Sequence, residues 1–297
     1  MTRPRLGFLG IGLMGEAMVL RLLERGYPVT VWNLEPERLD LVVPHGAVAA
    51  PSPAAVAAAS DIVVSCVLNA EAVENVLFGK QGVADVGMGG PAKLLIDCST
   101  LPPEAARDFA ARLRAATGMG FVDAPLSGGT KGARAGTLAV FAGGSAEDVA
   151  VASPVLHELG ANVTHVGGIG AGQSMKMLNQ AFVCTGFVLV AEVLAMAEKA
   201  GLDAAQVPQA LAGGMADSTL LRQIWPLMQK RRFDPPIGYG RQLRKDARLV
   251  QAFTQALGLD LPVVATGTGQ VETYVSDGNE MADIASIIRL YRPDPPP

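Results

Sequence analysis

The sequence is poor in aromatic residues, cysteine and histidine. Only 5% of its 297 residues are aromatic whereas 49% are hydrophobic, so a large core must consist mainly of alanine, valine, leucine and methionine. With three histidines and no cysteine pair at ligand spacing, we expect no metal site. Cys66, Cys98 and Cys184 each lie in an apolar run, which is typical of buried thiols in a reducing compartment.

Charge and long apolar runs are also limited. The net charge is −4 and no basic stretch suggests nucleic-acid binding, so we expect no nucleic-acid partner. The basic and then apolar N-terminus is too rich in glycine for a signal peptide, and it continues as a helix pattern. Fifteen uncharged residues separate Lys176 from Glu192, short of the roughly 20 that a membrane span needs. We therefore expect a soluble, cytoplasmic protein without a membrane partner.

The first half alternates short β-branched runs with helix patterns. The predicted strands are 5–9, 28–32, 61–67, 94–98, 121–124, 137–144 and 162–167. The predicted helices are 13–26, about 71–78, 103–116 and about 146–159. Strands and helices in alternation indicate a parallel sheet covered by helices on both faces.

The first strand leads directly into a glycine-rich turn, Gly10-Ile11-Gly12-Leu13-Met14-Gly15. In G-x-G-x-x-G the first glycine permits a tight turn and the second lets the backbone approach a pyrophosphate. The third allows close packing of helix on strand, and the helix N-terminus offers free N–H groups to the phosphates. Because the motif lies between a strand and a helix, it predicts a dinucleotide-binding, Rossmann-type domain that uses these six residues.

The end of the second predicted strand bears on the choice of nicotinamide cofactor. The chain has Asn33-Leu34-Glu35 there, and no arginine before Arg38. An acid at this place favours the free ribose of NAD, whereas an arginine favours the 2′-phosphate of NADP. Because Glu35 would repel a phosphate, we expect NAD or NADP with a preference for NAD.

After Gly170 only helix patterns occur, near 172–200, 203–212, 219–230, 240–258 and 262–277. The sequence therefore predicts an α/β fold: a Rossmann-type domain at 1–168, and an all-helical substrate and oligomerisation domain at 169–297, joined by a long helix. A long apolar helix beside a small helical domain leaves apolar surface uncovered, so we expect a homodimer or homotetramer.

Two polar features stand out near the domain boundary. Ser127-Gly128-Gly129 follows the fifth strand and offers a hydroxyl and backbone N–H groups, which suit a substrate carboxylate as well as a plain turn. Lys176 opens a helix that is otherwise almost wholly apolar and carries no charge as far as Ala191. A desolvated lysine is costly unless its charge is used or paired. From spacing alone, a solvated first-turn residue and a catalytic group remain equally open.

Four segments in this order, GFLGIGLMG, DAPLSGG, GAGQSMKMLNQ and LRKDARL, resemble the β-hydroxyacid dehydrogenase family over nearly the whole chain. That family includes 3-hydroxyisobutyrate dehydrogenases and tartronate semialdehyde reductases. The resemblance implies that Lys176, in G-x-G-x-x-x-K-x-x-N, is the catalytic acid/base. An alcohol oxidation needs such a base for the hydroxyl proton. Asn179, three residues on, shares the helix face of Lys176 and would orient the substrate or the lysine.

The resemblance implies further site residues. Ser127, Gly128 and Gly129 match the loop that binds the substrate carboxylate, and Lys245 matches a lysine near the nicotinamide and the substrate. Val67-Leu68 matches a turn over the adenosine, and Ser99-Thr100 a loop that borders the nicotinamide. Two departures stand out: Gln180 replaces the usual second asparagine, and Asn33-Leu34-Glu35 lacks both the NADP-type arginine and the NAD-type aspartate.

The resemblance implies an NAD(P)-dependent oxidoreductase that interconverts a short 3-hydroxy acid and its semialdehyde. Its substrate would be a small carboxylate such as 3-hydroxyisobutyrate or glycerate with tartronate semialdehyde, and GGMADSTLL (213–221) favours the reductase branch. One alternative is an imine reductase-like enzyme, although such enzymes usually lack a lysine at position 176. Another is a non-catalytic dinucleotide sensor, which would need no proton donor.

Overall fold

One mixed sheet organises the first part of the chain. The structure is a computed structural model that describes residues 3–293. Its strands in this range are β1 (Leu6–Leu9), β2 (Val29–Trp32), β3 (Val48–Ala49), β4 (Ile62–Ser65), β5 (Leu94–Asp97), β6 (Gly120–Asp123), β7 (Leu126–Ser127), β8 (Leu138–Gly143) and β9 (Gly160–Gly167). They follow the order β3-β2-β1-β4-β5-β6-β8-β7, with β9 paired to β8.

Strand direction places the functional edge of this sheet. Neighbours from β3 to β6 are parallel, β8 runs antiparallel to β6 and β7, and β9 is parallel to β8. The order reverses between β1 and β4, and open α/β sheets bind ligands outside the carboxyl ends of the strands at such a point. The loops that follow β1, β2, β4, β5 and β6 therefore meet at one edge.

Helices cover both faces of the sheet. They are α1 (Leu13–Glu24), α2 (Pro53–Ala58), α3 (Ala70–Phe78), α4 (Pro103–Thr117), α5 (Gly129–Ala135) and α6 (Ala146–Leu159). Phe8 belongs to one apolar cluster, with residues of α1 and α6, and Leu9 to another, with residues of α2, α3 and α4. Because successive side chains of a strand point to opposite faces, continuous apolar strands need helices on both sides.

The second part of the chain is helical. Its helices are α7 (Ala171–Lys199), α8 (Val207–Leu211), α9 (Thr219–Gln229), α10 (Gly240–Ala256) and α11 (Pro262–Ser276), followed by a 3₁₀ segment at Ile284–Leu290. Trp225 and Tyr274 are almost fully buried in their core. The indole N–H of Trp225 donates to the Ala204 carbonyl at 2.8 Å, so the bulky ring leaves no unpaired donor.

The predicted fold class is confirmed: a Rossmann-type sheet is followed by helices, and the long helix α7 begins within four residues of the end of β9. All seven predicted strands and all nine predicted helices are present. The sequence analysis missed β3, β7, α2 and α5, and it did not foresee that β8 is antiparallel. Elements of two to seven residues carry too few side chains for a periodic pattern to show.

The chain divides into two compact units, Met1–Lys176 and Met177–Pro297, called here the N-terminal and C-terminal units. This division falls inside α7, because the first turns of the helix pack with the sheet. The predicted domain boundary at 168/169 lies in the connection between β9 and α7. It stays a prediction about which segments can fold alone.

Helix α7 is long and apolar enough to cross a membrane by length and composition, and 44% of its most apolar window is buried. Cys184, Ala191 and Leu194 are fully buried in the core of the C-terminal unit. We therefore interpret α7 as a core helix.

Candidate active site

The glycine-rich turn between β1 and α1 has the shape of a phosphate cradle. Gly10 has a φ of +100°, and a Cβ there would lie 2.5 Å from the Cys66 carbonyl oxygen. A Cβ at Gly15 would lie 1.9 Å from the Gly10 carbonyl oxygen, whereas one at Gly12 would meet nothing within 4 Å. Gly12 is also the N-cap of α1 and has no side-chain cap. Crowding around the turn and open space at its tip fit a dinucleotide pyrophosphate.

Asn33 holds this turn from the end of β2. Its side-chain Oδ1 accepts the Ile11 N–H at 2.7 Å, and its Nδ2 donates to the Glu35 carboxylate at 2.9 Å. The side chain of Glu35 is thus held beside the turn, while Leu34 is 75% exposed. Arg38 also reaches the turn, since its Nε donates to the Ile11 carbonyl at 2.9 Å and its guanidinium pairs with Glu16. The sequence alone had not indicated this contact.

Hydrogen bonds join the loops after β4 and β5. The Ser99 hydroxyl accepts the Val67 N–H at 3.0 Å, and the Ser99 N–H donates to Asp97 Oδ1 at 3.2 Å. The Ser65 hydroxyl donates to the same Asp97 oxygen. The structure therefore brings together the two predicted cofactor segments, Val67-Leu68 and Ser99-Thr100, at the carboxyl edge of the sheet.

The buried Lys176 lies against the predicted carboxylate-binding loop. Lys176 is only 7% exposed, and its Nζ donates to the Leu126 carbonyl at 2.6 Å. Leu126 directly precedes Ser127, which is half-buried, and Gly128 and Gly129, which are exposed. Gly128 and Gly129 have φ values of +129° and +65°, conformations that favour glycine. The structure thus places the Lys176 ammonium next to the hydroxyl-bearing turn that the sequence analysis predicted to bind a carboxylate.

Asp123, a residue that the sequence analysis did not single out, fixes the start of α7. Asp123, at the end of β6, accepts the Gly170 N–H at 2.7 Å and the Gln173 N–H at 2.8 Å. Burial raises the pKa of Asp123 to about 7; the two N–H bonds oppose this shift, and neighbouring Asp97 adds to it. The signal in the sequence was an aspartate at the end of an apolar strand, inside the DAPLSGG segment.

In the C-terminal unit, polar side chains from α7 and α10 form one chain of contacts. Asn179 Nδ2 donates to Gln180 Oε1 at 2.7 Å, and Gln180 Nε2 donates to Asp246 Oδ2 at 2.5 Å. Lys245 Nζ lies 3.0 Å from Asp246 Oδ1. The contacts connect the predicted residues Asn179 and Lys245 through Gln180 and Asp246. Gln180, the departure noted in the sequence, is the link between the two helices.

Two family models together match nearly the whole chain. Residues 5–167 match a family model described as the NAD binding domain of 6-phosphogluconate dehydrogenase. Residues 170–291 match one described as the NAD-binding domain of NADP-dependent 3-hydroxyisobutyrate dehydrogenase.

Relatives match over almost the full length. The 2-hydroxy-3-oxopropionate reductase of Escherichia coli is 36% identical over 96% of this chain and 96% of its own. The 3-hydroxyisobutyrate dehydrogenase of Pseudomonas aeruginosa is 36% identical over 97% of this chain and 98% of its own. A crystal structure of 3-hydroxyisobutyrate dehydrogenase from Salmonella typhimurium has a TM-score of 0.85 at 26% identity, covering 96% of this chain and 99% of its own. This chain therefore belongs to the β-hydroxyacid dehydrogenase family and is an NAD(P)-dependent hydroxyacid dehydrogenase.

Proposed function

We propose that the enzyme interconverts a short 3-hydroxy acid and its semialdehyde, with Lys176 as the general acid and base. One observation carries this proposal: the buried Lys176 ammonium donates to the carbonyl of Leu126, the residue before Ser127. A carboxylate held by the Ser127 hydroxyl and the N–H groups of Gly128 and Gly129 would bring its carbinol carbon close to Lys176.

A nicotinamide cofactor held by the glycine-rich turn Gly10–Gly15 would supply or accept the hydride. In the reducing direction the Lys176 ammonium gives its proton to the carbonyl oxygen, and its charge stabilises the developing alkoxide. In the oxidising direction the neutral amine takes the hydroxyl proton. Asn179 is proposed to orient the substrate or the lysine, and Lys245 to contact the substrate and the nicotinamide.

The substrate we propose first is tartronate semialdehyde, also named 2-hydroxy-3-oxopropionate, which is reduced to glycerate. The relative from Escherichia coli carries this activity in its name and is 36% identical. The segment GGMADSTLL at 213–221 points to the same branch. A 3-hydroxyisobutyrate activity is the second candidate, supported by the equally similar relative from Pseudomonas aeruginosa.

The cofactor we propose is NAD in preference to NADP. Asn33 fixes the Glu35 carboxylate beside the glycine-rich turn, where it would accept the ribose hydroxyls of NAD and repel a 2′-phosphate. Arg38, the nearest cation along the chain, is paired with Glu16. The charge of Arg38 is therefore partly neutralised, and it would attract the 2′-phosphate of NADP less strongly.

We further propose a cytoplasmic homodimer or homotetramer without a nucleic-acid or membrane partner. Phe182, Leu189 and Met196 lie at seven-residue intervals along α7 and are 80%, 57% and 63% exposed. Side chains at this spacing form one stripe along a helix, and a stripe of exposed apolar residues is typical of a subunit contact.

The chain would then comprise a dinucleotide-binding domain at 1–168 and a substrate and oligomerisation domain at 169–297.

The test is a panel of turnover assays that follow NADH and NADPH spectrophotometrically. The substrates are tartronate semialdehyde, methylmalonate semialdehyde, succinate semialdehyde and a cyclic imine, and the proteins are wild type, Lys176→Ala and Lys93→Ala. Lys93 is the matched control, because its exposed ammonium also donates to a backbone carbonyl, that of Gly90 at 2.8 Å.

We expect reduction of tartronate semialdehyde by wild type and Lys93→Ala, and a loss of about 10²–10⁴-fold in kcat for Lys176→Ala with cofactor affinity kept. Imine turnover that survives Lys176→Ala would support the imine reductase-like alternative. Cofactor binding without turnover of any substrate would support the sensor and end the enzymatic proposal.

A further inference from the structure

Gln173 is fully buried and uses both ends of its side-chain amide on one loop. Its Oε1 accepts the Leu101 N–H at 3.0 Å, and its Nε2 donates to the Ser99 carbonyl at 2.9 Å. These two backbone groups belong to the loop after β5, which contains Thr100 between them. One amide side chain thus satisfies a donor and an acceptor of the predicted nicotinamide loop, as a neighbouring strand would.

The same residue is held from the other side by β6. Its backbone N–H donates to Asp123 Oδ2, while Asp123 Oδ1 accepts the Gly170 N–H. Asp123 and Asp97 are register neighbours on β6 and β5. Gly170 and Gln173 are therefore connected by four hydrogen bonds to the end of β6 and to the loop that follows β5, and these bonds fix the start of α7 relative to both.

Lys176 lies three residues after Gln173, on the same side of α7. Its ammonium is fixed at the Leu126 carbonyl, so two side chains of this short helical stretch contact two different loops. Gln173 contacts the loop predicted to border the nicotinamide, and Lys176 lies at the loop predicted to bind the substrate. The distance between the two loops is therefore set by the first two turns of α7 together with the pairing of β5 and β6.

We propose that Gln173 is a positioning residue: its side-chain amide holds the Ser99–Leu101 loop at a fixed distance from the Lys176 ammonium. The inference rests on the proposed function, because it needs Lys176 to be the acid–base and Ser99-Thr100 to border the nicotinamide. Misplacement of reacting groups by about 1 Å can lower a rate by about 10²-fold. A residue that sets this distance should affect kcat more than cofactor affinity.

A purely structural role makes a different prediction. A buried amide that only satisfies backbone groups would, when removed, lower stability and leave the kinetics of the folded fraction unchanged. Thr117 offers the matched control, since it is 5% exposed and its hydroxyl donates to the Leu113 carbonyl and accepts the Met119 N–H. Like Gln173, the Thr117 side chain satisfies one backbone acceptor and one backbone donor, but it lies before β6, at the amino edge of the sheet.

The experiment compares wild type, Gln173→Met, Gln173→Glu and Thr117→Val. Cofactor affinity is measured by fluorescence titration, and kcat, KM and the primary isotope effect with 4-deuterated cofactor by turnover. Amide hydrogen exchange at Leu101 is followed in the protein without cofactor. This last measurement reports on the hydrogen bond itself and is independent of any activity.

For Gln173→Met we expect kcat to fall by about 10- to 100-fold and the isotope effect to rise, with a cofactor Kd within about threefold of wild type. The Leu101 amide should exchange faster. In Gln173→Glu a protonated carboxyl can donate to the Ser99 carbonyl, so its activity relative to wild type should recover as the pH falls. Thr117→Val should lower the melting temperature and leave kcat unchanged.

A kcat for Gln173→Met within twofold of Thr117→Val would overturn the proposal. If Gln173→Met does not fold, Gln173→Glu decides, and a relative activity independent of pH overturns it. An unprotected Leu101 amide in wild type would overturn it without any variant. If wild type has no turnover, the proposed function fails by itself. Amide exchange at Leu101 and cofactor affinity then still test whether the Gln173 side chain fixes the Ser99–Leu101 loop.

Discussion

Gln180 donates its side-chain amide to Asp246 Oδ2 at 2.5 Å, across 66 residues of sequence. The bond joins α7 to α10 and leaves the other Asp246 oxygen to the Lys245 ammonium. Gln180 is 6% exposed and the Asp246 side chain 16%, so the bond is partly shielded from water. The family resemblance places an asparagine here, whose side chain is one methylene shorter. The longer amide of this chain therefore reaches a carboxylate on a different helix.

Shortening this side chain should cost stability. In Gln180→Asn the amide no longer reaches Asp246, and we expect the free energy of unfolding to fall by about 1–3 kcal/mol, as for a buried hydrogen bond to a charged group. Urea unfolding at neutral pH measures it. Gln206→Asn is the control, because Gln206 makes an exposed bond to Asp203 at 2.9 Å. Equal losses in the two variants would contradict a special role for the Gln180–Asp246 bond.

Removing the charge of Glu35 should shift cofactor preference. Glu35→Gln eliminates the carboxylate that Asn33 holds beside the glycine-rich turn, and with it the repulsion of a 2′-phosphate. We expect the ratio of kcat/KM for NADH to that for NADPH to fall by about tenfold, about 1.4 kcal/mol of discrimination. Glu37→Gln, an exposed neighbour, should leave the ratio unchanged. A preference for NADPH in wild type would refute the assignment before any substitution.

Asp123 should make stability depend on pH in an unusual direction. Its pKa is about 7 in the folded protein and close to the ordinary 3.8 when unfolded. Between these values the folded state keeps a proton that the unfolded state has lost, so stability decreases as the pH rises. The total effect is on the order of 4 kcal/mol, complete above about pH 7. Asp123→Asn cannot titrate, and its stability relative to wild type should rise over this interval.

Urea unfolding at several pH values between about 4 and 8 measures this difference. Asp61→Asn supplies a control of opposite sign. Asp61 also accepts a backbone N–H, that of Arg5 at 2.8 Å, and its pKa is lowered by the Arg5 guanidinium. Its contribution is present above the unfolded pKa and is lost as the pH falls. A pH slope in Asp123→Asn identical to that of wild type would show that Asp123 is ionised throughout.

Placing a charge on the exposed stripe of α7 should disrupt subunit contacts. Phe182 is 80% exposed, so Phe182→Lys removes little from the core of the monomer. We expect the mass from light scattering to fall to that of one chain, with far-ultraviolet circular dichroism unchanged. Met88→Lys changes a side chain that is 73% exposed in the N-terminal unit and should keep the oligomer. A wild-type protein that is itself monomeric would remove the basis for this prediction.

The sequence by itself determined the order of the elements and the chemistry of the main loops. Strands β1, β4 and β5 are buried on both faces and so appear as unbroken apolar runs, and the long helices show their periodicity over several turns. The glycine turn and the lone Lys176 are visible because each breaks a local pattern. Short elements such as β7 have no such pattern, although β7 presents the carbonyl that Lys176 contacts.

Tertiary structure decided which polar groups meet. Gln173 and Leu101 are 72 residues apart, Lys176 and Leu126 are 50, and Gln180 and Asp246 are 66. A hydrogen bond depends on distances and angles that only the packed strands and helices establish, and nothing local distinguishes Gln173 from a solvated glutamine. The periodicity of the sequence thus determined where strands and helices begin and end along the chain. Burial in the folded protein determined which polar side chains need a hydrogen-bond partner from a distant segment.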